Sequence, residues 1–209
     1  MLWIVLPARN ESAIIADAIV QLRDFLVAHT AEHWRIIVAD NGSTDATRTV
    51  VHAFATENPN IELLELQKPG KGNAVMMGWK KHEISRENEA CDVFLFMDAD
   101  LATDLRHLPE IIAAIRSGAD IAIGSRYLPG SSTHRSALRH SISRVNRWLL
   151  HRRFGLQVSD PPCGFKAINA RTLRTIVPQI RDRQWFFDTE LLIRATHAGY
   201  RIVEVPVTW

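Results

Sequence analysis

Short apolar runs rich in β-branched residues alternate with segments of helical periodicity, and that alternation is the strongest constraint on how this chain folds. Residues 2–6, 35–39, 61–66, 93–97 and 121–123 read as strands, several of them apolar on both faces. Helices are expected at about 12–29, 45–56, 72–83 and 105–117. In the first, Ile14, Ile15, Ala18, Ile19, Leu22, Phe25 and Leu26 fall at the i, i+3, i+4, i+7 spacing of a core-facing stripe. Strands that alternate with helices need crossover connections, so the fold class is α/β with a mostly parallel central sheet. In such sheets ligands bind beyond the carboxyl ends of the strands.

The polar residues fall where that rule wants them. Strand one ends in Pro7-Ala8-Arg9-Asn10-Glu11 and strand two in Asp40-Asn41-Gly42-Ser43-Thr44-Asp45. Strand four ends in Asp98-Ala99-Asp100 and strand five in Gly124-Ser125-Arg126. Four strand ends thus deliver polar groups to one rim. After residue 125 the rhythm changes: a basic helix is expected at 134–153, an extended loop with turns at 158–169, a helix at 184–199 and a last strand at 201–207. No linker or repeat interrupts the 209 residues, which suit one domain.

Bulk properties exclude several classes. A formal charge of +2 does not suit a nucleic-acid binder. Cys91 and Cys163 match no metal spacing and are expected to be reduced thiols in the cytosol. The opening, Met1 to Pro7, has no basic leader and reads as a first strand, not a signal peptide. No apolar run approaches the roughly 20 residues that span a bilayer, so membrane contact is expected to be peripheral, at the inner face, or made through a membrane-protein partner.

Each motif has a plain structural explanation beside a chemical one. Asp98 and Asp100 can both reach one hard cation, Mg²⁺ or Mn²⁺, although a D-x-D is equally a solvated acidic turn. Gly42 supplies a turn, and Ser43 or Thr44 is expected to cap the following helix, leaving Asp40 as an acceptor for a base or ribose. Lys68-Pro69-Gly70-Lys71-Gly72-Asn73-Ala74 is a basic turn opening a helix, which favours an anion, but it lacks P-loop spacing. Arg126 can grip a phosphate or simply face solvent. Between 121 and 159 there is no Asp or Glu, yet there are seven arginines, among them Arg126, Arg135 and Arg139. With Leu138, Ile142, Val145 and Leu149 on one stripe, that helix suits either an anionic lipid surface or a packed core with solvated arginines.

Taken in order, Pro-Ala-Arg-Asn-Glu, Asp-Asn-Gly-Ser-Thr-Asp, Gly-Lys-Gly-Asn-Ala, Asp-Ala-Asp-Leu and Gly-Ser-Arg resemble glycosyltransferase family 2, over nearly the whole chain. Asp160-Pro161-Pro162-Cys163-Gly164-Phe165-Lys166, Phe187-Asp188-Thr189-Glu190 and Glu204-Val205-Pro206-Val207-Thr208-Trp209 are similar to the dolichyl-phosphate glucosyltransferases and their bacterial polyprenyl-phosphate relatives. The resemblance implies a three-layer, Rossmann-like, glycosyltransferase A-type fold. Residues 1–125 would bind the nucleotide sugar and 126–209 the acceptor, a polyprenyl phosphate. It implies that Pro7, Arg9, Glu11, Asp40 and Lys71 line the nucleotide pocket, that Asp98 and Asp100 bind a metal-diphosphate, and that Arg126, with Arg135 and Arg139, meets the acceptor phosphate. Asp160 and Asp188 are candidates beside the transferring sugar, although at a helix start Asp188 and Glu190 also suit the dipole. Family members carry a basic Ser-Lys or Ser-Arg segment after the final strand. The sequence ends at Trp209 before one, so it is either a shortened chain or fills that role otherwise. A hydroxyl-acceptor transferase, a nucleotidyltransferase and a non-catalytic binding module are the competing readings.

Overall fold

In the computed structural model, which describes residues 1–81, 92–132 and 147–209, one seven-stranded sheet runs through the molecule in the order β3-β2-β1-β4-β6-β5-β7. The strands are β1 (Leu2–Ala8), β2 (Trp34–Asn41), β3 (Ile61–Leu66), β4 (Val93–Met97), β5 (Ile121–Ser125), β6 (Phe165–Asn169) and β7 (Ile202–Pro206). The helices are α1 (Ile15–His29), α2 (Thr47–Glu57), α3 (Lys71–Lys80), α4 (Leu108–Arg116), a helical stretch at 147–154 (α5), α6 (Ala170–Thr175) and α7 (Phe187–His197). β1, β2, β3 and β4 are mutually parallel, as are β5 and β7.

The sheet is buried because its strands are apolar on both faces. Ile4, Val5, Leu6, Ile36, Ile37 and Val38 are fully buried between helices on either side. The stripe of α1 packs as its periodicity predicts: Ile15, Ala18, Ile19, Leu22 and Leu26 are buried, while Ile14 lies just ahead of the helix and is exposed.

Three expectations are corrected. The stretch 158–169 is not all loop: its last five residues form β6, which inserts between β4 and β5 and runs antiparallel to both. Neither Ser43 nor Thr44 caps α2. The residue ahead of that helix is Ala46, without a side-chain cap, because Ser43 Oγ accepts the Asn10 N–H and Thr44 bonds the Asn10 side chain. Those two residues tie strand ends together instead. In the basic helix, Leu149 is exposed while Leu150, off the expected stripe, is buried, as packing on the core beneath decides. Leu138, Ile142 and Val145 lie outside the described residues.

Candidate active site

A pocket of about 410 Å³ opens at the carboxyl ends of β1, β2 and β4. Its walls are Pro7 and Ala8 at the end of β1, Arg9 and Glu11 just beyond it, Asn41 at the end of β2, Gly70 and Lys71 at the start of α3, Asp98, Ala99 and Asp100 after β4, and Gln184 and Trp185 ahead of α7. Four of the predicted nucleotide residues, Pro7, Arg9, Glu11 and Lys71, therefore converge with Asp98 and Asp100. Asp40 does not reach this wall: it is fully buried, accepting from the Ser43 N–H at 3.3 Å and from Arg48 Nε at 2.6 Å.

The turn after β4 is wound tightly. Leu101 takes φ 47°, a left-handed conformation that costs a branched residue of order 1–3 kcal/mol and clusters at functional sites. The Asp98 carbonyl accepts the Leu101 N–H at 3.1 Å, and Asp100 Oδ1 accepts the Ala102 N–H at 3.1 Å. The backbone of β6 starts beside this turn, with the Asp98 N–H donating to the Gly164 carbonyl at 3.1 Å. A Cβ on Gly164 would collide with the Asp98 carboxylate, so glycine is what lets the two strands meet there. Glu11 faces the same pocket; burial, then the charges of Asp100 and Asp45, push its pKa above the ordinary value.

Behind Asp98 lies a row of alternating charges. Lys71 Nζ sits 2.7 Å from Asp98 Oδ1 and 3.5 Å from Asp188 Oδ2. Asp188 Oδ1 in turn accepts from Lys166 Nζ at 2.8 Å, and Lys166 also donates to the Cys163 carbonyl. Exposure falls along the row, from 45% for the Asp98 side chain to 9% for Lys71, 4% for Asp188 and 0% for Lys166. Burial alone would lower the Lys71 pKa, but Asp188 and Asp98 more than offset it and raise it, so the ammonium stays charged. Phe96 serves both cations, its ring 5.4 Å from Lys71 Nζ and 5.5 Å from Lys166 Nζ.

The amino end of α3 is not free for an anion. The Gly72 and Asn73 amides donate to the Gln184 and Arg183 carbonyls at 3.0 and 2.9 Å. Gln184 and Trp185 reach the pocket through this clasp. Asn41, too, does more than the sequence suggested, because its Oδ1 accepts the Gly70 N–H at 2.5 Å and pins the turn. Lys166 closes a motif read from the sequence, but nothing there placed it beside Asp188, and Trp185 carried no signal for the site. Their partners are 22 residues or more away in the chain for Lys166–Asp188 and further still for the α3 clasp.

Arg126 and Asp160 form a second, separate feature. Arg126 Nε and Nη2 bind Asp160 Oδ2 and Oδ1 at 2.6 and 2.9 Å, and the Arg126 N–H adds a bond of 3.1 Å. Both side chains are buried, and the guanidinium lies 5.2 Å from the Trp209 ring. Asp160 is thus fully engaged, and Arg126 is partly so. Arg135 and Arg139 lie outside the described residues. Among the described residues no group of three His, Cys, Asp or Glu side chains is arranged to hold a metal ion by itself.

The family model described as "Glycosyl transferase family 2" matches residues 3–177. The chain belongs to glycosyltransferase family 2. It is 34% identical to glycosyltransferase AglD of Haloferax volcanii, over 99% of this chain and 32% of that protein. It is 31% identical to the dolichyl-phosphate beta-glucosyltransferase ALG5C of Trichomonas vaginalis, over 98% of this chain and 62% of the relative. At the same 31%, it matches the undecaprenyl-phosphate mannosyltransferase of Micrococcus luteus, over 98% of this chain and 82% of the relative. The first two relatives are therefore much longer than this chain. Among solved structures, the glucosyl-3-phosphoglycerate synthase of Mycobacterium tuberculosis, in complex with Mn²⁺, uridine diphosphate and glucosyl-3-phosphoglycerate, aligns with a TM-score of 0.71 at 20% identity. That alignment covers 100% of this chain and 70% of that one, and at such identity it establishes the fold alone. The family-2 domain has the glycosyltransferase A-type fold, as its motifs implied.

Proposed function

We propose that this family-2 domain transfers a hexose from a nucleotide-diphosphate sugar to a polyprenyl phosphate with inversion, UDP-glucose being the favoured donor and GDP-mannose the next. The observation that carries the reading is the pocket itself, where Arg9, Glu11, Lys71, Asp98 and Asp100 converge at the ends of three parallel strands. A diphosphate needs cations and an oxygen-ligated metal, and that set supplies Lys71, Arg9 and two carboxylates. Relatives named for lipid-phosphate glucosyl and mannosyl transfer, at equal identity, support the acceptor class and leave the sugar to experiment.

The donor chemistry of the site fits Mg²⁺ or Mn²⁺. Asp98 and Asp100 offer hard carboxylate oxygens, one or two of which suffice where substrate phosphates complete the coordination. A bound cation would stabilise charge on the leaving diphosphate. The chain's own residues do the rest. Lys71 compensates phosphate charge from the pocket floor, and Arg9 and Glu11 close one side of the donor. An acceptor phosphate, with a second pKa of about 6, is already largely ionised at pH 7 and needs no general base. Its oxygen bonds the anomeric carbon as the bond to the diphosphate breaks, and alignment is the main requirement. Arg126 is the acceptor-phosphate candidate, held in place by Asp160. Among the described residues no helix is long and apolar enough to cross a membrane.

The test is turnover of radiolabelled UDP-glucose and GDP-mannose with a polyprenyl phosphate, with and without Mg²⁺ or Mn²⁺. Metal-dependent label in the lipid fraction is expected, and it identifies the sugar at once. Nucleotide binding without lipid label would instead favour a hydroxyl acceptor or a binding module.

A further inference from the structure

Resting on the reading that Asp98 helps hold a divalent cation, we propose that Lys71 is an internal counter-ion for that carboxylate, so that metal and nucleoside diphosphate bind only together. Three observations carry this. First, the Asp98 carboxylate is not idle. The Lys71 ammonium lies 2.7 Å from Oδ1, inside the same pocket, so a cation arriving alone must displace a buried positive charge or sit beside it. Two cations sharing one carboxylate at such range repel strongly where water is scarce.

Second, Lys71 has no adequate retreat. Asp188 is the other carboxylate in reach, but its Oδ1 is already held by Lys166 at 2.8 Å, and Lys71 stands 3.5 Å from Oδ2. One carboxylate between two lysines cannot neutralise both. Asp98 is therefore needed to balance the row, and it cannot be surrendered without a substitute anion.

Third, Lys71 can re-aim without leaving its place. Its ammonium lies over the rings of Phe96 and Trp185, at 5.4 and 5.5 Å, and both faces hold a cation without fixing its direction. A diphosphate in the pocket supplies the missing anion. It takes the ammonium from Asp98, frees that carboxylate for the metal, and offers the metal its own oxygens. The α3 amides do not compete for this role, since the Gln184 and Arg183 carbonyls accept from Gly72 and Asn73.

The experiment is titration of the protein with Mn²⁺, followed by the electron paramagnetic resonance of the free ion, alone and with saturating UDP or GDP. The wild type is expected to take up Mn²⁺ at least about tenfold more tightly with nucleotide than without it. Lys71→Met is expected to bind Mn²⁺ alone at least about tenfold more tightly than wild type, with a smaller gain from nucleotide. Its fold should survive, because Asp188 keeps Lys166. Should Lys71→Met not fold, Lys71→Gln, which retains a hydrogen-bond donor, decides. Lys71 variants that bind Mn²⁺ alone no better than wild type overturn the counter-ion. Undiminished Mn²⁺ uptake with UDP in Asp98→Asn overturns instead the metal reading on which it rests.

Discussion

Arg126–Asp160 and Lys71–Asp98 are both ion pairs at the ends of central strands, yet they are built in opposite ways. The first is sealed: two parallel N–H···O bonds, a third from backbone, and both partners buried. The second is one link in a row that runs from an exposed carboxylate to a fully buried lysine, with every charge shared. A sealed pair fixes the geometry of Arg126 and gives up neither partner. A shared row can trade one member for a ligand, because Lys71 divides its charge between Asp98 and Asp188, and Asp188 stands between two lysines. The contrast follows the sheet: the shared row opens onto the parallel half, whereas the sealed pair sits beyond the antiparallel β6.

The largest expected effect breaks the sealed pair. Asp160→Ala leaves the Arg126 cation buried with no carboxylate, which should cost about 3–5 kcal/mol of unfolding free energy. Denaturant melts measure it. A loss below about 1 kcal/mol would mean that Arg126 is satisfied from elsewhere and that the two pairs are not different in kind.

Next comes the exposed end of the row. Asp98→Ala and Asp100→Ala should each lower turnover at least about a hundredfold, equivalent to roughly 3 kcal/mol of barrier. Because both side chains are solvent-exposed in part, melts should move far less than for Asp160→Ala. Near-full turnover of Asp100→Ala would remove it from the metal assignment.

Gly164→Ala sharpens the comparison by displacing a charge without removing it. The new methyl would occupy the space of the Asp98 carboxylate, whose half-exposed end has room to shift in the pocket while staying near Lys71. Stability should therefore change by no more than about 1 kcal/mol, while misplacing a ligand by an ångström can cost up to about a hundredfold in rate. A variant with wild-type turnover would show that Asp98 works from a different position.

The same contrast explains what the sequence disclosed. The parallel half was legible because its signals are local. Val93 to Met97 is five apolar residues followed at once by Asp98-Ala99-Asp100, and Ile61 to Leu66 matches its predicted bounds. β6 was not legible. Phe165-Lys166-Ala167-Ile168-Asn169 carries a lysine at its second position, and a buried lysine in a central strand makes sense only once Asp188, 22 residues on, is seen beside it. The Arg126–Asp160 pair, spanning 34 residues, is hidden for the same reason. Asp40 shows the converse. Its turn was read from sequence, but the arginine that takes its carboxylate, Arg48, comes from the following helix and carried no sign of that pairing.

The smallest expected effect lies at the clasp that brings Trp185 to the pocket. Glu190 accepts the Asp182 and Arg181 N–H groups at 2.8 and 3.0 Å and Arg194 Nε at 2.7 Å, fastening the segment whose carbonyls hold the Gly72 and Asn73 amides. Burial would raise the Glu190 pKa, but the hydrogen bonds from Asp182, Arg181 and Arg194 prevail and lower it. With the folded value depressed, this contribution is fully present above the ordinary glutamate value of 4.5 and is lost as pH falls through the folded one. Glu190→Gln keeps an acceptor oxygen but not the charge, so at pH 7 it should cost about 1 kcal/mol. Hydrogen-exchange protection of the Gly72 and Asn73 amides reads this directly. In the wild type it should hold from pH 7 to 5 and weaken at lower pH, whereas in Glu190→Gln it should start lower and stay flat. Protection identical in the two proteins across that range would mean that the α3 clasp is held by Asp182 alone, through its bonds to the Gln184, Phe186 and Phe187 amides.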